Sequence, residues 1–114
     1  MTQEDKELLL KDLCARLPYG VKVRFYDHWV EKYEIIPLTA KLLVYNVQIG
    51  EIPPYLFPLS SMTEEQKTEL EQIKNNEDAP YYHDINDFFL KYHLDNRHLI
   101  EKGLAINATG KNIY

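Results

Sequence analysis

The sequence predicts an α+β fold: a small antiparallel sheet of three or four strands packed against an N-terminal helix and C-terminal helices. Apolar residues recur at helical spacing near both ends of the chain, and apolar and polar residues alternate at 21–26, as in a half-buried strand. The middle connections are too short for parallel crossovers, which need about a dozen residues or more. A length of 114 residues suits one core, so we expect a single domain over residues 1–114.

The first helix is predicted by a cap and an apolar stripe. Thr2 is a favourable N-cap residue, and Pro18 and Gly20 end the helical pattern. The stripe recurs at i, i+3, i+4 and i+7, and it consists of Leu10, Leu13, Cys14 and Leu17. This spacing places Cys14 among the residues that face the core, as an unreactive structural thiol.

The predicted sheet extends from Val21 to Val47. Alternation at 21–26 gives its first strand, and two stretches rich in Ile, Leu, Val and Tyr follow at 33–38 and 41–47. Together they predict a three-stranded antiparallel meander, and residues 104–106 are a candidate fourth, edge strand. The first helix and an aromatic helix near the C-terminus are expected to cover one face of this sheet.

The turn at 27–32 carries the single tryptophan of the chain, Trp29. An indole combines a large apolar ring with one N–H donor, and it suits both a core and an interface. Trp29 therefore either folds back onto the core or stays exposed, and the second alternative makes it a candidate protein-binding residue.

A stretch with three prolines, residues 53–66, joins the sheet half to the helical half. Its prolines hold the backbone extended and remove backbone donors. Two overlapping capping boxes follow, Ser61 to Glu64 and Thr63 to Gln66, and they predict the start of a helix. The apolar stripe of that helix is thin, and it consists of Met62, Leu70 and Ile73.

The second half is predicted to be helical after a loop at 75–80. Asp84 is expected to cap a helix, and Asp95 to begin a short helical turn that Gly103 ends in a left-handed conformation. The stripe of the capped helix is strongly apolar, and it consists of Ile85, Phe88, Phe89 and Tyr92. The polar segment 107–114 is expected to be frayed.

Three blocks of sequence carry a resemblance to a known family. They are KDLCARLPYGV at 11–21, PYLFPLSSMTEEQ at 54–66, and a block at 87–105 that begins DFF and ends DNRHLIEKGLA. In these blocks the chain resembles the small uncharacterised proteins encoded by gut Bacteroides species and by their phages and mobile elements. The resemblance implies a cytoplasmic bacterial or phage-derived accessory protein, and it implies no activity, cofactor or catalytic residue. Members of this family resemble one another least in the middle region, which corresponds to residues 29–51 here.

Composition disfavours several classes of function. The net charge of −5 provides no basic face for nucleic acid. The acidic N-terminus is unlike a signal peptide, and no apolar run approaches the roughly 20 residues of a membrane span. Since one cysteine forms no intramolecular disulfide, the composition fits a reducing compartment, and we expect a cytoplasmic protein without nucleic-acid or membrane partners.

One enzymatic hypothesis uses histidines that lie near carboxylates. A small metal-dependent, hydrolase-like enzyme could use His83, Asp84, Asp87, His93 and His98. Metal binding needs such groups to converge, yet these residues match no recognised zinc or iron spacing, and helix capping already explains Asp84. We therefore predict no catalytic residue, no metal ligand and no cofactor, and this enzyme stays the alternative.

The leading hypothesis is a non-enzymatic accessory or regulatory module that acts through protein contacts. The chain has nine tyrosines, and tyrosine combines apolar area with a polar tip at a low entropy cost. The candidate protein-binding residues are Trp29, Tyr81, Tyr82 and His83, the last three beside an acidic loop.

Overall fold

The computed structural model describes residues 2–49, 52–75 and 81–114, with side chains except at 45–49 and 81–83. In chain order the elements are α1 (Gln3–Arg16), β1 (Lys22–Asp27), β2 (Lys32–Pro37), α2 (Ala40–Ile49), β3 (Tyr55–Leu56), α3 (Glu64–Lys74), α4 (Tyr81–Lys91) and β4 (Ile106–Asn107). The predicted α+β class is confirmed, with its N-terminal helix and C-terminal helices. None of the helices described is long and apolar enough to cross a membrane.

Helix α1 begins as predicted, because the Thr2 hydroxyl accepts a hydrogen bond from the Asp5 backbone N–H at 3.0 Å. The predicted buried position of Cys14 is wrong, since this thiol is exposed. The residues of α1 that are buried are Leu9, Asp12, Leu13 and Arg16. They follow the same helical spacing, but two of them are charged and form a buried ion pair, so an apolar template misses this face.

Strands β1 and β2 form an antiparallel hairpin in which Val23 faces Ile36 and Phe25 faces Glu34. The predicted third strand at 41–47 is wrong, because these residues belong to α2, which packs against α1. The Thr39 hydroxyl accepts from the Leu42 N–H at 3.2 Å and so caps this helix. Packing of the helix on the core outweighs the weak β preference of its residues.

The proline stretch takes the place of the expected third strand. The Arg24 N–H donates to the Pro53 carbonyl at 3.0 Å, on the side of β1 that faces away from β2. Beyond it, β3 pairs in parallel with β4, so only Ile106 of the candidate strand at 104–106 belongs to a strand, and it pairs with β3 rather than with the hairpin. Phe57 then exchanges backbone hydrogen bonds of 2.8 Å with the His93 carbonyl and the Asp95 N–H. The stretch thereby joins the hairpin to the C-terminal segment.

Helix α3 begins with the second of the two predicted capping boxes. The Thr63 hydroxyl accepts from the Gln66 N–H at 3.1 Å, and the Gln66 side chain accepts from the Thr63 N–H at 3.0 Å. The first box is not formed, because Ser61 ends a 3-10 turn and its hydroxyl donates to the Pro58 carbonyl at 2.7 Å.

Helices α3 and α4 pack together through a cluster that contains both predicted stripes, with Leu70, Phe88 and Leu94 buried at its centre. The expected cap at Asp84 is wrong, because α4 begins at Tyr81 and Asp84 lies in its first turn. Of the predicted loop at 75–80, Asn75 is the C-cap of α3 and the other residues lie outside the described ranges.

The C-terminal segment is folded onto the rest of the chain. The buried Asp95 carboxylate accepts from the Leu99 and Ile100 N–H groups at 2.8 and 2.9 Å, in a series of turns rather than the expected helical turn. Gly103 has the predicted left-handed conformation, with φ of 74°. The expected fraying of 107–114 is wrong, because Ala108 and Ile113 are buried against Tyr55.

Candidate functional site

The tip of the β1–β2 hairpin presents the tryptophan to solvent. The Asp27 carboxylate accepts from the Trp29 N–H at 2.9 Å, and Glu31 adopts a left-handed φ of 54°. This turn directs the indole outward, and Trp29 is 96% exposed. Of the two alternatives for Trp29, the exposed one is observed.

An apolar groove of about 570 Å³ lies between the hairpin tip and the first turns of α2. Its lining residues are Phe25, Asp27, His28, Trp29, Lys41, Leu42 and Val44. We call it the hairpin groove. Val44 is itself 63% exposed, so the groove has an apolar wall on the α2 side as well as on the hairpin side. Concave, mostly apolar surfaces with a few polar groups at the rim are the usual form of a binding site.

The opposite face of the hairpin also carries exposed apolar side chains. Tyr33 and Ile35 project from β2 and are 62% and 51% exposed. The Arg24 guanidinium lies 4.6 Å from the centroid of the Tyr33 ring. The Tyr26 and Tyr33 rings meet edge to face, with their centroids 5.1 Å apart. These contacts hold the Tyr33 ring in one orientation, so it needs little further ordering when it binds.

The histidine and aspartate residues of the enzymatic alternative do not converge in the part that the structure describes. Asp87 accepts a hydrogen bond from the Tyr19 hydroxyl, and His98 is exposed, with a left-handed φ of 58°. Among the described residues, no group of three or more His, Cys, Asp or Glu side chains could hold a metal ion. The side chain of His83 lies outside the described residues.

His93 has a distinct environment beside the C-terminus. Its ring stacks on Tyr114 with centroids 3.9 Å apart, and its backbone is left-handed with φ of 55°. Burial, together with the charges of Arg16 and Lys22, lowers the pKa of His93 to about 4. Burial also raises the pKa of Tyr114 to about 12. Both rings are therefore neutral at physiological pH.

A cavity of about 370 Å³ borders this ring pair, and most of its polar groups are already engaged in the fold, although the buried His93 Nδ1 has no hydrogen-bond partner among the described residues. Thr63 and Gln66 cap α3, and Lys91 forms an ion pair of 2.8 Å with Glu69. The Tyr114 hydroxyl donates to the Tyr55 carbonyl at 2.7 Å and accepts from the Lys22 N–H at 2.9 Å. This arrangement secures the C-terminus more than it offers groups to a ligand.

The predicted tyrosine-rich site is divided between two parts of the chain. Tyr81, Tyr82 and His83 form the first turn of α4 rather than a loop, and their side chains lie outside the described residues. Their role in binding stays a prediction. Tyr55, in the proline stretch, is buried in β3.

Several residues of the hairpin surface were not predicted from the sequence. They are Val30, Tyr33, Ile35, Leu42 and Val44. The exposure of Tyr33 and Ile35 could have been predicted from strand alternation. Glu34 and Ile36 share one face of β2, and because Ile36 packs on the core, Tyr33 and Ile35 must lie on the opposite face. No such signal marks the α2 residues, since the sequence pattern assigned them to a strand.

Comparisons of the chain with protein-family models, with curated proteins and with solved structures found no significant match. The hairpin groove and the exposed face beside it therefore have to be interpreted from their own chemistry.

Proposed function

We propose that this protein is a non-enzymatic protein-interaction module, of the accessory or regulatory kind that the resemblance to Bacteroides and phage proteins implies. The occupant of its surface is a polypeptide segment of a partner protein. The observation that supports the proposal best is the 96% exposure of Trp29 at the mouth of an apolar groove. Tryptophan is among the residues that most often dominate the affinity of an interface.

The geometry favours a polypeptide over a small polar ligand. The hairpin groove is lined mainly by apolar atoms, and Tyr33 and Ile35 expose further apolar area on the other face of the same hairpin. A polypeptide segment is long enough to contact both apolar areas, whereas a small ligand is not. Burying one tryptophan removes roughly 200 Å² from water, which favours binding by about 5 kcal/mol before the costs of association.

Selection from a library of short random peptides tests this proposal. Peptides enriched on the wild-type protein are expected to bind Trp29→Ser on the order of thirtyfold more weakly, as for an interface residue that dominates affinity. Cys14→Ser, an exposed α1 position outside the groove, serves as the matched control and is expected to keep full affinity.

Tryptophan fluorescence gives an independent readout, because Trp29 is the single tryptophan of the chain. Its emission is expected to shift to shorter wavelength when a selected peptide removes the indole from water. The proposal is wrong if no peptide is enriched, or if enriched peptides bind Trp29→Ser as tightly as the wild type and leave the emission unchanged.

A further inference from the structure

We infer that the partner segment binds as an added β-strand along the outer edge of β2, with a basic residue facing Glu34 and an apolar residue on each side of it. This inference rests on the proposed function and specifies the conformation and the sequence of the segment. Addition of a strand to an exposed sheet edge is a common mode of peptide recognition.

The register of the hairpin shows which backbone groups of β2 point outward. The Leu38 N–H donates to the Val21 carbonyl at 2.9 Å, so Val21 and Leu38 form a hydrogen-bonded pair. In an antiparallel ladder such pairs alternate with pairs whose N–H and C=O groups point away from each other. Tyr33 and Ile35 belong to the second kind, opposite Tyr26 and Arg24.

Hydrogen bonds on the other side of β1 confirm this alternation. The Arg24 N–H donates to the Pro53 carbonyl at 3.0 Å, and the Lys22 N–H donates to the Tyr114 hydroxyl at 2.9 Å. The backbone N–H groups of Arg24 and Lys22 therefore point away from β2. By the same alternation, the N–H and C=O groups of Tyr33 and Ile35 face away from β1.

The outer edge of β2 carries no strand in the described part of the chain. The sheet has two strands, in the order β1-β2, and no described backbone group hydrogen-bonds to Tyr33 or Ile35 from the outer side. Proteins usually protect such an edge with charges, prolines or bulges. Here Lys32 and Pro37 protect only the two ends of the strand, and the backbone between them is open to a partner.

A second copy of the chain fits this edge poorly. The antiparallel register that pairs Tyr33 of one copy with Ile35 of the other brings the two Glu34 side chains directly opposite each other. Their Cα atoms would be about 4.5 Å apart, and like charges in that position destabilise a strand pair. Of the two neighbouring registers, one pairs Tyr33 with Pro37, which has no N–H to donate. The other pairs Ile35 with Glu31, which lies outside β2 in a left-handed conformation with φ of 54° and ends the ladder there.

A partner strand of different sequence fits well. Its residue opposite Glu34 would face the half-buried carboxylate, which forms no ion pair with any described residue. A lysine or arginine in that place supplies the opposite charge, and the net charge of −5 also favours a basic segment. The residues on each side would lie beside the exposed Tyr33 and Ile35 side chains, where apolar groups are favourable.

The test uses short synthetic peptides with a central Val-Lys-Val or Val-Glu-Val, followed by amide chemical shifts and hydrogen exchange at Tyr33 and Ile35. The lysine peptide is expected to bind roughly three- to tenfold more tightly than the glutamate peptide. Glu34→Lys is expected to reverse this preference. Binding is also expected to protect both amides from exchange.

Methylation of the peptide backbone provides a matched control. The added strand runs antiparallel to β2, so the N–H groups of the two flanking valines bond to β2, and the N–H of the central residue points away. N-methylation of either valine is expected to weaken binding at least tenfold, and N-methylation of the central residue to leave it unchanged.

The outcomes separate this inference from the proposed function. Peptides that depend on Trp29 but ignore both Glu34→Lys and backbone methylation would overturn the added strand and leave the protein-binding proposal intact. A concentration-dependent dimer that Ile35→Pro abolishes would also overturn the inference, because the edge would then be occupied by a second copy. If no peptide binds in a way that depends on Trp29, both proposals are wrong.

Discussion

Replacing Arg16 with methionine is expected to destabilise the protein by about 3–5 kcal/mol. The Arg16 Nε lies 2.8 Å from the Asp12 carboxylate, and its Nη2 donates to the Leu94 carbonyl at 2.7 Å and to the Asn96 side chain at 3.0 Å. The side chains of Arg16 and Asp12 are both fully buried. The substitution leaves a buried carboxylate whose remaining partner is Arg97, at 3.2 Å.

The magnitude follows from what is left unpaired rather than from the strength of the ion pair. Removing one member of a buried pair leaves an uncompensated charge, whereas removing both members is often nearly neutral. The Leu94 carbonyl also loses its charged donor, which costs about 1–3 kcal/mol within the same total. We therefore expect the losses in free energy of unfolding not to add. The loss for the double variant Asp12→Leu, Arg16→Met should be smaller than the summed losses of the two single variants by about 2 kcal/mol or more.

Urea denaturation followed by circular dichroism measures these free energies of unfolding. Lys67→Met is the control, because Lys67 and Glu64 form an exposed pair of 3.4 Å whose loss is expected to cost less than about 0.5 kcal/mol. If Arg16→Met does not fold, Arg16→Lys can replace it in the measurement of the free energy of unfolding, because lysine retains the positive charge beside Asp12. A loss below about 1 kcal/mol for Arg16→Met, or additive losses in the double variant, would refute this account of the pair.

Two further predictions concern His93 and the start of α3. Because the pKa of His93 is lowered from 6.5 to about 4, the unfolded chain takes up a proton first, and stability present above pH 6.5 is lost as the pH falls towards 4. Since the ring is partly exposed, we expect the free energy of unfolding to fall by only about 1–2 kcal/mol over this pH range. In His93→Asn, the free energy of unfolding should vary less with pH between 5 and 6.5, and an unchanged pH dependence would contradict this prediction. Thr63→Ala is expected to lower the free energy of unfolding by about 1 kcal/mol and Ser61→Ala by less, and the reverse order would show that the first capping box is the important one.

The parts of the fold that the sequence predicted correctly are those that local signals determine. Thr2 and Thr63 cap helices through side chains only three residues from their partners. The apolar stripe of α4 and the left-handed Gly103 are likewise set by neighbouring residues. Such features need no information about the rest of the chain.

Three of the incorrect predictions involve contacts between distant residues. Arg16 is buried because the Leu94 carbonyl and Asn96 receive its donors across about 80 positions of sequence, and no apolar template detects such a partner. Tyr114 is held by Lys22 and Tyr55, so a polar C-terminal segment that reads as frayed is folded. Helix α2 is a third case, since its residues favour strands locally and form a helix against α1.

The site was only partly predictable for the same reason. Trp29 could be identified as a candidate from its turn, but its exposure depends on the Asp27 contact and on how α2 lies beside the hairpin. The groove requires α2 to be a helix, so a sequence interpretation that made it a strand could not contain the groove.

The structure separates the residues that hold the fold together from those that we propose bind a partner. The segments 11–21, 54–66 and 87–105 meet in the interior, where Arg16 reaches Leu94 and Phe57 bonds to the backbone on each side of Leu94. The hairpin tip lies outside these segments, and Trp29 contributes little to the core because it is 96% exposed. Substitutions at Trp29 should therefore change binding without changing the free energy of unfolding, whereas substitutions at Arg16 should reduce both, because an added strand needs the β1–β2 hairpin to be folded.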